Sequence, residues 1–349
     1  MLSAAIEGMF LNSELFDHQR GASNKGYKKI DMGTLVLSTQ NLHLGNANVN
    51  LRFEHGMVSP AYKTYHIHDC SIKLIAEWVK SEKAKRFFYD ATTVGASVCR
   101  RNVEWDTLYD QPLYLPSSVE QECLATFLSA LSSRIKKQTE LVEHLKKYKR
   151  GLLSTLLGKE EWQTVLMKDV ACGFDYGMNS AATEYDGKHK YIRITDIDES
   201  THKYISAECV SPSDIPEAKY KVEENDILFA RTGASVGKSY IYDSRDGDLY
   251  YAGFLIKASV KQNFNSYFVY LNTLTRDYQR WVILESTRSG QPGINAEQYR
   301  NYRFQCPSIE IQNRIAEIFI SFDSKLQQEQ EILDCLMNYR QGMLQKIFA

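Results

Sequence analysis

The chain has 349 residues, of which 43% are apolar and 24% charged, and its formal net charge is -1. That length suits two hydrophobic cores better than one, and the composition is that of a folded chain rather than a disordered one. No stretch approaches the roughly 20 consecutive apolar residues of a membrane span, and a charge so near zero means any affinity for nucleic acid has to come from local patches.

Met1 to Phe10 hold Glu7 and no basic residue, so they lack the charged start and apolar run of a secretory signal, and a cytoplasmic location without membrane contact is expected. Residues 1–115 are rich in Gly, Tyr, Thr and short β-branched runs, a pattern that predicts a module of mixed strands and helices. His66 and His68 alternate as neighbours on a strand would, and none of the eight histidines has metal-ligand spacing, so no metal site is expected. The seven cysteines, Cys70, Cys99, Cys123, Cys172, Cys209, Cys306 and Cys335, include no C-x-x-C pair. An odd number cannot all pair within one chain, and they read as reduced thiols.

From Pro116 the sequence P-S-S-V-E-Q-E-C-L-A opens a segment with a heptad seam: Leu124, Leu128, Leu131, Ile135, Gln138, Val142, Leu145, Lys149, Leu152 and Leu156, spaced alternately by four and three. Ser117 with Glu120 predicts a capped start, and Gly158 a left-handed stop. A helix of ~40 residues is a rod of about 60 Å.

The segment recurs. P-S-I-E-I-Q-N-R-I-A, from Pro307, repeats it at an offset of 191 residues without a gap to the end of the chain, with the seam Ile315, Phe319, Phe322, Leu326, Glu329, Leu333, Leu336, Arg340, Met343 and Ile347. Polar residues fall at the same two places in both copies, and two such helices can bury their seams on each other. Gly151 and Gly342, at matching positions, predict a close approach of the two backbones.

The second module, residues 159–306, has the same kind of composition as the first. Lys29 to Leu37, K-I-D-M-G-T-L-V-L, corresponds to Lys221 to Phe229, K-V-E-E-N-D-I-L-F, at an offset of 192, so module and helix read as one duplicated unit. In that frame Met1 aligns near Arg193 and the segment from Trp162 to Tyr191 has no counterpart; the first module reads as shortened at its start. Two strings are decoys. G-A-S-V-G-K-S from Gly233 leaves three residues between its glycines where a phosphate loop needs four. Asp214, Glu217 and Lys219 have the residue types of a metal-dependent nuclease, but two residues between acid and acid cannot turn between strands, and a solvated loop is expected. Neither an N-P-P-Y-like tetrad nor a G-x-G-x-x-G loop is present to suggest a methyltransferase.

Taken in order, W-Q-T-V-L-M-K-D-V at Trp162, Y-I-R-I-T-D-I-D at Tyr191, N-D-I-L-F-A-R-T-G-A-S-V-G-K at Asn225, S-G-Q-P-G-I-N at Ser289 and P-S-I-E-I-Q-N-R-I-A at Pro307 make the chain similar to the specificity subunits of type I restriction-modification systems. In the first half, G-M-V-S-P-A-Y from Gly56 and R-R-N-V-E-W from Arg100 resemble another variety of the same module. The resemblance implies an α+β chain of four parts. These are a first target-recognition domain at 1–115, a central spacer helix at 116–158, a second target-recognition domain at 159–306 and a C-terminal spacer helix at 307–349, the helices pairing as an antiparallel coiled coil. It implies double-stranded DNA as the ligand, each domain reading half of a bipartite site. Type I DNA methyltransferase subunits and restriction/translocase subunits are the implied partners, and S-adenosylmethionine, ATP and Mg belong to them, so no catalytic residue and no cofactor is expected in this chain. The alternative is a truncated paralogue that docks proteins through its helices with partial or no DNA specificity.

Candidate DNA contacts are residues in glycine-bearing loops, which tolerate close backbone approach to a ligand. In the second module these are Arg231, Thr232, Lys238, Arg288, Ser289 and Gln291, and in the first Asn41, Asn46, Arg52, Lys63, Arg100 and Arg101. Arg276 and Arg280, four apart, fit surface ion pairs on a helix nearly as well as DNA contacts. The candidate partner and spacer residues are the seam: Leu124, Leu128, Leu131, Ile135, Val142, Leu145, Ile315, Phe319, Phe322, Leu326, Leu333 and Leu336.

Overall fold

Helices form over the two heptad segments, Ser118–Leu156 and Ile309–Ile347, each 39 residues long. The computed structural model describes residues 1–16, 25–97, 100–287 and 292–348, apart from the side chains at 95–97 and 100. At the start of the central helix the Ser117 N–H and Oγ both donate to Glu120 Oε2, at 2.9 and 2.7 Å, satisfying groups that a helix terminus leaves open. At its end Gly158 takes φ +72°, where a glycine meets no Cβ clash.

Two compact units result, one of Met1–Val142 with Gln328–Ala349 and one of Glu143–Gln327. The predicted seam residues are all buried or half-buried, and most residues between them are exposed. Within the first unit, Gln138 Nε2 donates to Glu329 Oε2 (2.5 Å) and Glu329 O (3.0 Å), Arg340 Nε donates to Ser132 Oγ (3.2 Å), and the Phe127 ring lies 6.4 Å from Tyr339. Phe127 and Ser132 meet Tyr339 and Arg340, whereas Gln138, later on the central helix, meets Glu329, earlier on the other, so these stretches run in opposite directions. Within the second unit, Lys149 meets Asp323 at 2.6 Å, Tyr148 lies 5.7 Å from Phe322, and Leu153 and Leu157 share a core with Ile315 and Phe319. The close approach expected at Gly151 and Gly342 does not occur: a Cβ at either would meet nothing within 4 Å. Both glycines sit beside the seam rather than on it, Gly151 facing solvent.

The core of the second unit is a four-stranded antiparallel sheet in the order Ala171–Tyr176, Leu255–Val260, Asp226–Ala230, Ser239–Ile241. Every residue of Asp226–Ala230 is buried because alternate side chains enter different cores. Ile227 and Phe229 pack with Phe268, Tyr278, Tyr299 and Phe304, whereas Leu228 packs with Ile192, Tyr240 and Tyr251.

The first unit repeats this frame with three strands, Ala47–Val49, Leu35–Ser38 and Tyr62–Tyr65. The faint correspondence of sequence at Lys29 and Lys221 proves to be a shared turn. The Asp31 N–H donates to Thr34 Oγ1 as the Glu223 N–H does to Asp226 Oδ2, and Gly33 (φ +86°) and Asn225 (φ +69°) take the same left-handed conformation. Further along, Ser38 N–H to Asn46 O matches Ala230 N–H to Lys238 O, and Asn50 N–H to Thr34 O matches Tyr242 N–H to Asp226 O. Each unit also ties its module to its helix with one buried glutamine. Gln121 Oε1 accepts from the Ser71 N–H and Gln312 Oε1 from the Asn265 N–H, while their amides donate to Pro116 O and Pro307 O.

Candidate DNA interface

In the second unit, three chain segments meet at the end of the central strand. The Arg231 N–H donates to Phe254 O (3.0 Å), the Ile294 N–H donates to Arg231 O (2.9 Å), and Thr232 bridges to Gly293. The short 3-10 turn Gly233–Ser235 follows, and the chain re-enters the sheet at Gly237. Two buried tyrosines grip the ends of this loop: Tyr299 Oη donates to Ala230 O and Tyr278 Oη to Gly237 O, both at 2.8 Å. Burial pushes the phenol of Tyr278 well above its ordinary range, so it stays a neutral donor. A rigid base thus presents a loop whose own side chains remain accessible.

Arg231 is half-buried, its guanidinium 4.6 Å above the Tyr176 ring, and Phe254 beside it is 60% exposed. An arginine held flat on an aromatic ring keeps its donors in one plane, a geometry suited to base edges or phosphates. Thr232 is half-buried next to it. Lys238 is engaged elsewhere: only 9% of its side chain is exposed, and its ammonium bonds Ile197 O (3.1 Å) and Glu199 (2.7 Å). Arg288, Ser289 and Gln291 lie outside the described residues; the chain leaves the description after Thr287 and re-enters just before Gly293, the residue bridged to Thr232.

The equivalent place in the first unit is the turn after Leu35–Ser38, where the Thr39 N–H donates to Ala61 O (3.2 Å) as Arg231 does to Phe254. Asn41 is exposed there, before the turn Leu42–Leu44. Asn46 is buried and donates to Ala4 O at 3.2 Å; it occupies the place of Lys238 in the repeated frame, and both serve the fold from within. Arg101, on the strand Arg100–Val103, donates to Thr92 Oγ1 (2.7 Å) and Thr92 O (2.8 Å), and its guanidinium lies 4.1 Å over Tyr89. Burial, helped by the charge of Arg101, lowers the pKa of His43 in the same turn. Arg100 shares that strand, its side chain outside the description. Arg52 and Lys63 stand apart from this group. Arg52 makes a two-pronged ion pair with Glu14 (2.6 and 3.0 Å), and Lys63 lies 3.9 Å over Trp105 with its ammonium on Tyr109 Oη (3.2 Å).

The decoy strings resolve as local structure. Gly233 to Ser239 is a strand-to-strand turn with its lysine tied to Glu199. Asp214 accepts from Ser180 Oγ at 2.7 Å, and Glu217 pairs with Lys219 at 2.9 Å on the surface. Arg280 pairs with Asp277 at 3.5 Å on the surface of the helix Arg276–Ser286. His66 and His68 follow the strand Tyr62–Tyr65 rather than lie in it, both exposed. Sequence reasoning missed Tyr176, Phe254, Tyr278 and Tyr299, whose roles depend on contacts 23 to 120 residues away and leave no local spacing to read.

Residues 159–336, just over half of the chain, match the profile of the type I restriction modification DNA specificity domain. Over 199 residues the chain is 25% identical to a Methanocaldococcus jannaschii protein provisionally named the type I restriction enzyme MjaX specificity subunit. The match takes in 54% of this chain and 46% of that one, so the chain spans about half the length of this curated relative. Among solved structures, the S subunit of a type I restriction-modification system from M. genitalium is similar over 94% of this chain and 87% of its own, with a TM-score of 0.61 at 16% identity. A chain from a study of complex assembly and conformational transition in a type I R-M system is similar over 94% and 84%, with a TM-score of 0.57 at 14% identity.

Proposed function

The chain belongs to the type I restriction-modification DNA specificity family, and from that premise we propose that it is the sequence-reading subunit of such a complex, holding methyltransferase and restriction subunits on a bipartite duplex target. Residues 1–115 and 159–306 are the two readers, and the helices within 116–158 and 307–349 are the spacer and the docking surface for partner subunits. One observation carries this reading: the same turn and sheet frame occurs twice, and at the equivalent end of each copy it presents different side chains, Arg231 and Thr232 in one and Asn41 in the other. A repeated frame with different tips suits two short sequences that are not copies of each other. Methyl transfer from S-adenosylmethionine, and ATP- and Mg-dependent translocation and cleavage, fall to the partner subunits.

The test is to map methylated bases genome-wide in cells expressing this chain with its methyltransferase partner, alongside selection of bound duplexes from a random pool. A split motif with two defined halves is expected. Selection of no motif, with the methyltransferase still co-purifying, would replace this reading by that of a docking scaffold.

A further inference from the structure

Each helix seam carries a polar residue at two matching places, and Gln138 with Glu329 accounts for the first. The second is Lys149 on the central helix and Arg340 on the C-terminal one. Each of these cations meets a half-buried carboxylate next to the module that precedes the other helix. In the first unit Arg340 pairs with Glu77, on the module helix Ile72–Trp78, and its Nε donates to Ser132 Oγ (3.2 Å). Ser132 Oγ in turn donates to Glu77 Oε1 (3.2 Å). In the second unit Lys149 pairs with Asp323 (2.6 Å), and Asp323 accepts from Tyr267 Oη (2.5 Å), on the module helix Ser266–Asn272.

Both are triads of cation, carboxylate and hydroxyl. Lys149 and Arg340 are repeat equivalents at the offset of 191, and so are Ser132 and Asp323. The cation therefore keeps its place while carboxylate and hydroxyl exchange theirs: the first module supplies the carboxylate, the second the hydroxyl. The four charged side chains are only 15 to 26% exposed, so their bonds are strong and little screened. Burial and the charge of Asp323 hold the Tyr267 phenol above its ordinary range, and it remains the donor. Each module has two further attachments. Gln121 and Gln312 tie it to the first turn of its own helix, and such a tie leaves rotation about that rod. Apolar contact reaches the other helix, through Leu344 and Phe348 in the first unit and Leu153 and Leu157 in the second, but apolar burial is non-directional. Of these three ties, only the triad is both directional and anchored on both helices.

We infer that Arg340, Glu77 and Ser132 in one unit, and Lys149, Asp323 and Tyr267 in the other, are positioning triads. Each fixes the angle at which a reader stands on the paired helices, and with it the number of base pairs allowed between the two halves of the target. This role rests on the proposed reading of a bipartite duplex, in which spacing follows from the geometry that holds the readers. A reader free to swing accepts more than one spacing while its own contacts to bases stay the same. Buried polar groups of this kind contribute more to a unique arrangement than to net stability.

The test is duplex selection from a random pool by the full chain with its methyltransferase partner, with thermal melts to show that each variant folds. The unchanged chain should yield two defined halves at one spacing. Glu77→Gln with Arg340→Met, or Lys149→Met with Asp323→Asn, removes both charges together and leaves neither buried alone. Each pair should keep both half-motifs, while preference for the one spacing over a base pair more or fewer falls roughly tenfold, the equivalent of one lost charge-assisted hydrogen bond. Arg340→Lys, which installs the cation the second unit uses, should keep the single spacing. Tyr267→Phe removes one hydroxyl only and should also broaden the spacing, which keeps the test decisive if a neutral pair does not fold. Unchanged spacing in folded variants overturns the inference, and so does a changed half-motif, which would place the triad in base reading. Spacing as broad with Arg340→Lys as with the neutral pair overturns it too, since the cation would not be what holds the reader. Failure of the unchanged chain to select two halves would instead end the bipartite reading itself, and the positioning role with it.

Discussion

At Gly237 the backbone sits at φ +82° and a Cβ would lie 2.5 Å from both methyls of Val282, a buried helix residue with no room to retreat. At Gly45, its equivalent in the repeated frame, φ is +85° but the obstacle is the flexible stem of Lys85 at 3.0 Å. The conformational cost is shared, about 1–2 kcal/mol for an alanine in the left-handed region, while only Gly237 adds a clash in a packed core, about 1–3 kcal/mol more. Gly237→Ala should therefore destabilise the chain by about 3 kcal/mol and Gly45→Ala by about half as much, as read from denaturation midpoints. His202 offers a test of pH dependence. Burial lowers its imidazole pKa below the ordinary 6.5, and the ring sits 2.9 Å from Ser239 O. As pH falls below that ordinary value the unfolded chain takes up a proton that the folded one refuses, so the contribution is full above it and lost as acid rises. Asparagine tolerates the φ of +56° and can still donate to Ser239 O. His202→Asn should flatten the fall of melting temperature between about pH 6.5 and the lowered folded value; an unchanged slope would assign the acid sensitivity to other groups.

At the scale of elements, the long helices were the most legible part of the sequence because their signal is periodic and local. Ser117, Glu120 and Gly158 bound the central helix as their spacing implied, the seam positions are buried or half-buried, and the polar seam residue Gln138 meets its own repeat equivalent, Glu329. Gly151 and Gly342 misled because a glycine is compatible with close approach without requiring it. The modules were less legible. Thr34 and Asp226 accept the same backbone bond with different chemistry, so the shared turn survives while residue identity does not. Lys238 and Asn46 looked available because their loops carry glycine, but the chain turns both inward, and which way a loop side chain points is decided by distant partners such as Ile197 and Ala4. The Gln138–Glu329 pair yields a prediction of its own. Gln138→Leu removes a donor from a buried carboxylate and should cost about 1–3 kcal/mol. Replacing both residues with leucine should recover most of that loss, because a buried polar pair contributes more to register than to net stability. Thermal melts of the two single variants and the double variant form the cycle that decides it.

For the whole molecule, the division into two units with separate cores predicts that the two proposed readers act independently, since changes at distant sites without shared partners add. Arg231 belongs wholly to one unit and Asn41 to the other. If Arg231, stacked on Tyr176, reads a base, Arg231→Ala should cost about 1–3 kcal/mol of specific affinity and relax preference in one half of the target only. Asn41→Ala should do the same in the other half, and the double variant should lose the sum of the two free energies within about 0.5 kcal/mol. Binding must be compared at fixed salt, because phosphate contacts alone would shift every affinity together and leave the motif intact. Loss of preference in both halves from Arg231→Ala alone would mean that the units do not read separately, and a uniform loss with no change of motif would place Arg231 on the phosphate backbone.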